Sequence, residues 1–205
     1  MEGNSFFIKD VNEYLDLKSI IEEIFDLNKE IPNQVFQKEY RGYLFGQFDN
    51  IMSEEFFTTI RGLAEKSNDD YIVIAVLNPH PMDYYYKEFG YFNWAKLHLS
   101  LSNGYYWSIL NEGPPNWEAD AIVHNAFIIA FFSPSRKWGI WADRNFEISV
   151  IAFNEKNENN QLILDSWLPV ENEEVVNWMK YSFRPDYKVP QSFTDMLRRN
   201  YQKRE

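Results

Sequence analysis

Apolar positions along this chain recur with two different periods, and the change of period separates helical ends from a β-rich middle. Tyr14, Leu17, Ile21, Ile24 and Phe25 recur at helical spacing, with Lys18, Glu22 and Glu23 off that stripe. The spacing predicts an amphipathic helix over about 10–27. Asp10 and Glu13 stand three apart at its start, the geometry of a capping box. A second helix is predicted after Ser53, with Phe56, Phe57, Ile60, Leu63 and Ala64 on one face and Asn68-Asp69-Asp70 ending it. Towards the other end, Asn172 precedes Glu173-Glu174, and Val175, Val176, Met179 and Phe183 then face one way. Ser192 with Asp195 opens a last predicted helix whose inward face would be Phe193, Met196, Leu197 and Tyr201.

The middle reads as strands. Tyr71 to Leu77 is continuously apolar and β-branched, so a central strand covered on both faces is expected there. From Ala95 to Leu101 apolar and polar positions alternate, and Asn103-Gly104 follows, a strong hairpin signal. Tyr105 to Leu110 is the predicted return strand. Further strands are expected at Phe127–Phe132, Trp138–Ala142 and Phe146–Phe153, separated by turns at Ser133-Pro134-Ser135 and Arg144-Asn145. Residues 154–160 are polar and read as a hairpin loop, with 161–167 a last strand or the start of a helix. Short turns between strands favour antiparallel pairing. The expected fold is one α+β domain over 1–205, a central antiparallel meander with helices from the N- and C-terminal regions packed on it.

Composition narrows the function classes. With 45% apolar residues in 205, the chain can bury a core. It has no cysteine, which removes disulfides, Cys-based zinc sites and thiol nucleophiles. No run approaches the roughly 20 apolar residues of a membrane helix, and MEGNSFFIKD lacks the features of a secretory leader, so a cytoplasmic location is expected. The net charge of −11 is uneven: residues 1–70 hold 15 acidic and 7 basic side chains. This argues against nucleic acid, whose binding draws on clustered Lys and Arg, and suits a basic protein partner. The one basic cluster, Arg198, Arg199, Lys203 and Arg204, fits a helix C-terminus.

Motifs for chemistry are sparse. His80, His98 and His124 stand 18 and 26 positions apart, with no paired metal-ligand spacing, so no metal is expected. No GxSxG, GxGxxG or GxxxxGK[ST] occurs, which leaves no cofactor indicated. Glu54-Glu55 and Glu173-Glu174 sit in predicted first helical turns, where they serve the helix dipole. The most distinctive loop is Asn78-Pro79-His80-Pro81, in which His80 oriented by Asp83 could act as a general base of a hydrolase. Aromatics make up 18% of the chain, and the seven tryptophans are more than one small core readily absorbs. Trp117 after Pro114-Pro115, Trp138 and Trp141 beside Asp143 and Arg144, and Tyr84-Tyr85 are therefore candidates for a binding surface. A concave aromatic pocket around Tyr84–Tyr86, Trp107 and Trp117 would instead take a small ligand or glycan.

The run Trp138-Gly139-Ile140-Trp141-Ala142-Asp143-Arg144, followed by Phe146-Glu147-Ile148, resembles a WGxWxxRxxE stretch of small bacterial immunity-type proteins of polymorphic toxin systems. The resemblance covers Ser133 to Ala152. It implies a non-enzymatic protein that neutralises a cognate toxin domain by tight binding. Trp138, Trp141, Asp143, Arg144 and Glu147 would be its signature and part of its interface, with an Arg144–Glu147 ion pair pinning the turn. By strand alternation Trp141 and Asp143 share a face.

Overall fold

The structure, a computed structural model, describes residues 6–154 and 166–202. Six strands form one antiparallel sheet: β1 (Gly42–Gln47), β2 (Tyr71–Asn78), β3 (Trp94–His98), β4 (Ile128–Phe132), β5 (Trp138–Asp143) and β6 (Ile148–Phe153). Their order across the sheet is β1-β6-β5-β4-β2-β3. β4, β5 and β6 are the expected meander, and β2 lies inside the sheet between β3 and β4. Helices α1 (Val11–Ile24), α2 (Glu54–Ser67), α3 (Asn103–Asn111), α4 (Glu173–Met179) and α5 (Gln191–Tyr201) cover it, joined by shorter helical turns. The α+β class expected from the sequence is the observed one.

Both sheet faces are apolar, so both must be covered. On one face Ile74, Phe131 and Ile140 pack against Phe57 and Ile60 of α2 and Tyr106 and Ile109 of α3. On the other Val73, Ala130, Trp141 and Val150 meet Leu17 and Ile21 of α1, Met179 of α4 and Leu197 of α5. α1 starts as its sequence dictates: the Asp10 carboxylate accepts from the Glu13 N–H at 2.8 Å. Asn172 caps α4 in the same way, accepting from the Glu174 N–H at 3.0 Å. α5 is fastened across the chain. Its Tyr201 hydroxyl donates to the Asn33 carbonyl at 2.6 Å and accepts from the Val35 N–H at 3.1 Å.

Several expectations are corrected. Asn103-Gly104 makes no hairpin, and Tyr105–Leu110 is helical within α3. Ser102 decides this, since its side chain accepts from the Tyr105 N–H at 3.2 Å as an N-cap. Tyr106, Ile109 and Leu110 then fall on one buried stripe. Arg61 of α2 secures the start by donating to the Leu101 carbonyl at 2.9 Å and the Asn103 side chain at 3.1 Å. Replacing Ser102 by Ala is expected to lower stability by about 1 kcal/mol, read from the urea midpoint, because one first-turn N–H loses its acceptor. Ser53 precedes α2, but its hydroxyl donates to the Asn50 carbonyl rather than capping. α5 begins after Pro190, not at Ser192, and buries Thr194 with Leu197 and Tyr201, leaving Met196 exposed. The predictions for 155–165 lie outside the described residues. Just after them Leu168 exchanges backbone hydrogen bonds with Phe45 on the outer edge of β1.

Candidate functional site

The register aligns Asn78, Ile128, Asp143, Ile148 and Gln47 in one row at one end of the sheet. The long connections 79–93 and 112–127, and the turns 48–52 and 144–147, leave from this end. Most sequence-selected residues therefore lie in segments at that end: His80, Asp83, Tyr84, Tyr85, Trp117, Asp143, Arg144 and Glu147. Trp138 does not, because it starts β5 at the far end.

Three members of the signature are core residues. Trp138 and Trp141 are 2% exposed and Asp143 is 1% exposed, so none of them presents a side chain to a partner. The cause is that β5 is an interior strand, paired on both sides and covered on both faces. Trp141 and Asp143 do share a face, and that face is the one under α1. Gly139 explains the spacing of the motif. A Cβ there would stand 2.9 Å from Phe25 Cζ and 3.0 Å from Ile24 Cγ2. The bare glycine thus lets the end of α1 settle on the sheet, and Phe25 packs on Trp141 with ring centroids 5.6 Å apart. The WGxW spacing is a packing device. Four of the seven tryptophans, Trp94, Trp138, Trp141 and Trp167, are buried, so the core absorbs more of them than composition suggested.

Arg144 is a clamp. Its guanidinium donates to the Ala126 carbonyl at 2.8 Å and the Val123 carbonyl at 2.9 Å, and stacks 4.8 Å from the Phe48 ring centroid. These contacts replace the expected Arg144–Glu147 ion pair; Glu147 acts on it only through space. Burial works against the charged guanidinium, and the Glu147 and Asp49 carboxylates favour it. Glu147 holds a left-handed backbone at φ 58° and accepts the Phe48 N–H through its carbonyl at 3.0 Å. Its side chain keeps its proton more tightly than usual because of partial burial and the nearby Asp49 carboxylate. Asp143 is a buried acid whose side chain accepts the Asn145 N–H at 2.9 Å. Burial, reinforced by Glu30, pushes it up to about 7.

A buried polar network supports the second loop. Asp120 accepts from the Tyr84 hydroxyl at 2.7 Å and from the Asn125 amide at 2.6 Å, while the Tyr85 hydroxyl donates to the Asn125 carbonyl at 3.0 Å. Tyr85 is fully buried, and Tyr86 stacks on Phe92 at 4.4 Å. The three tyrosines thus fix the loops from inside instead of lining a pocket. What remains outside at this end is Trp117 at 62% exposure and Phe127 at 38%, with Asp49, Glu118 and Glu147 also exposed. Sequence reasoning missed Asp49, Asp120, Asn125 and Phe127. The signal for Asp120 and Asn125 was their polarity at the edge of a strongly apolar run, where an unpartnered polar group is costly.

His80 is a cap as well. Its Nδ1 accepts the Asp83 N–H at 3.0 Å, so in the neutral ring the proton lies on Nε2. The Asp83 carboxylate is 3.3 Å from Nδ1 and 2.7 Å from the Lys87 ammonium, which holds it below the usual carboxylate range. Both side chains are about 60% exposed, at 59% and 63%. A recess of about 20 Å³, lined by Leu63, Lys66, Trp138 and Phe153 among others, lies at the opposite end of the sheet. His80, His98 and His124 are exposed on three separate segments. Among the described residues no three His, Asp or Glu side chains gather as a metal site requires. No helix among them is long and apolar enough to cross a membrane.

No family model, curated protein or solved structure matches this chain. The functional reading therefore rests on the surface chemistry of the loop end.

Proposed function

We propose that the chain is a protein-binding module of the immunity type, which neutralises a basic toxin domain by direct binding at the loop end of the sheet. The observation that carries this reading is the Asp49–Glu147 pair. Partial burial and then the Asp49 carboxylate make Glu147 hold its proton more tightly, exposed Phe127 and Trp117 belong to the connection that leaves the same end of the sheet, and the Arg144 guanidinium is already committed to backbone carbonyls. A Lys or Arg from a partner would relieve that repulsion, and the two aromatic side chains would supply apolar area around it. The negative field of residues 1–70 would raise the association rate. The interior network of Tyr84, Tyr85, Asp120 and Asn125 supports the reading by holding the loops in place before binding.

The other two readings draw less support. A hydrolase would need His80 in a recess with Nδ1 donating to an orienting carboxylate, and here Nδ1 accepts a backbone N–H on an open surface. A ligand pocket would need Tyr84–Tyr86 facing a concavity, and they point into the protein.

The test is binding between the purified chain and the product of an adjacent toxin gene, followed by calorimetry. The wild type is expected to bind tighter than micromolar. The Trp117→Ala/Glu147→Gln double variant, which removes the carboxylate without adding a cation beside Arg144, is expected to bind at least about tenfold more weakly, a loss of about 1.4 kcal/mol, with a melting temperature close to the wild type. Failure of the wild type to bind, or equal binding by the variant, overturns the reading.

A further inference from the structure

A second surface, built beside the 144–146 turn by residues between α4 and α5, carries chemistry of the opposite sign. Residues 180–188 form turns between α4 and α5 and are anchored from below by Phe183, whose ring lies 5.9 Å from Phe146 and 5.1 Å from Phe193. Above that anchor Tyr181 and Tyr187 are 61% and 48% exposed, with their rings edge to face at 5.8 Å. Tyr187 has φ 55°, a left-handed backbone that bulky L residues adopt at a steric cost. That backbone places its ring against Tyr181 rather than in the core. The Lys180 ammonium lies 5.0 Å from the centre of the Tyr181 ring. Arg184 and Lys188 are exposed and form no ion pair with a described carboxylate. In a chain with 31 acidic and 20 basic residues, three cations within residues 180–188, none ion-paired with a described carboxylate and interleaved in sequence with two exposed tyrosines, run against the composition.

We propose that this patch is a docking site for an acidic segment of a partner protein. The tyrosine rings offer apolar area that is already rigid, and Lys180, Arg184 and Lys188 offer donors for carboxylates. The rest of the negative charge does not prevent this. Screening acts over about 8 Å at physiological ionic strength, so a ligand in contact with the patch feels mainly these local cations. A nucleic acid fits less well, because three cations beside Asp186 neutralise too few phosphates for useful affinity. The inference does not rest on the loop-end reading, since it uses other residues and a partner of opposite charge.

The test uses the full chain and a short fluorescein-labelled peptide of Asp, Glu and Leu, followed by fluorescence anisotropy. Oligo-dT is a parallel probe, and sedimentation velocity reports self-association. The peptide is expected to bind, to weaken with added salt, and to bind at least about tenfold more weakly to Arg184→Glu/Lys188→Glu and to Tyr181→Ala/Tyr187→Ala. All four side chains are exposed, so the melting temperatures should match the wild type and separate lost contact from lost fold. Absence of peptide binding, or equal binding by both variants, overturns the proposal. Tighter binding of oligo-dT overturns it in favour of a nucleic acid. A dimer abolished by Arg184→Glu/Lys188→Glu overturns it in favour of a second copy. The toxin measurement and the peptide measurement can each fail without the other.

Discussion

Replacing Asp143 with Asn is expected to stabilise the protein at pH 8 by up to about 4 kcal/mol and to leave it nearly unchanged at pH 4. Burial raises the Asp143 carboxyl from an ordinary 3.8 to about 7. Between those values the folded chain keeps a proton there that the unfolded chain releases. The contribution of the neutral carboxyl is complete below about pH 4 and is lost as the pH rises through 7, so stability falls across that window. Asn is neutral at every pH and retains an oxygen for the Asn145 N–H. The variant should therefore lose this part of the pH dependence. For a chain of this size the gain corresponds to a melting temperature roughly 5–15 °C higher at pH 8. Thermal melts of both proteins at pH 4, 6 and 8 measure it. A variant that is less stable at pH 8, or that keeps the wild-type slope, would contradict a buried neutral acid at this position.

Trp141→Ala should be the opposite extreme, a loss of about 3–5 kcal/mol, because the cavity opens between an interior strand and α1 where little can collapse into it. Trp141→Phe is expected to cost much less than the Ala variant. The indole N–H of Trp141 is buried with no hydrogen-bond partner among the described residues, so removing it also removes an unsatisfied donor. Denaturant melts of the two variants give both values. If Trp141→Ala instead melted like the wild type while weakening toxin binding, the residue would belong to an interface and not to the core.

The fold was legible where local signals agreed with packing. At Asp10 and Asn172 cap and apolar period pointed the same way, while α2 was legible from its apolar stripe alone, its Ser53 not capping. The hairpin at Asn103-Gly104 failed because two local signals competed. Asn-Gly favours a tight turn, Ser102 favours a helix start, and the buried stripe of Tyr106, Ile109 and Leu110 gave the decision to the helix. No rule confined to neighbouring residues weighs that stripe against α2. The site was only half legible for a related reason. Sequence selected Tyr84, Trp117, Arg144 and Glu147, which all lie in connections leaving one end of the sheet. It could not tell an inward tryptophan from an outward one in a strand covered on both faces. Nor could it show that the Arg144 guanidinium would be taken up by the carbonyls of Val123 and Ala126.

The tie between Tyr201 and residues 33–35 has a consequence for biosynthesis. The side-chain bonds that secure this early segment reach across 166 and 168 positions of sequence. During translation, the face of the sheet covered by α1 must wait, partly open, until α5 has left the ribosome. The face covered by α2 and α3 can close well before that. The molecule should therefore mature in two steps, and the apolar side bearing Trp141 and Val150 is the one a chaperone would meet on the nascent chain.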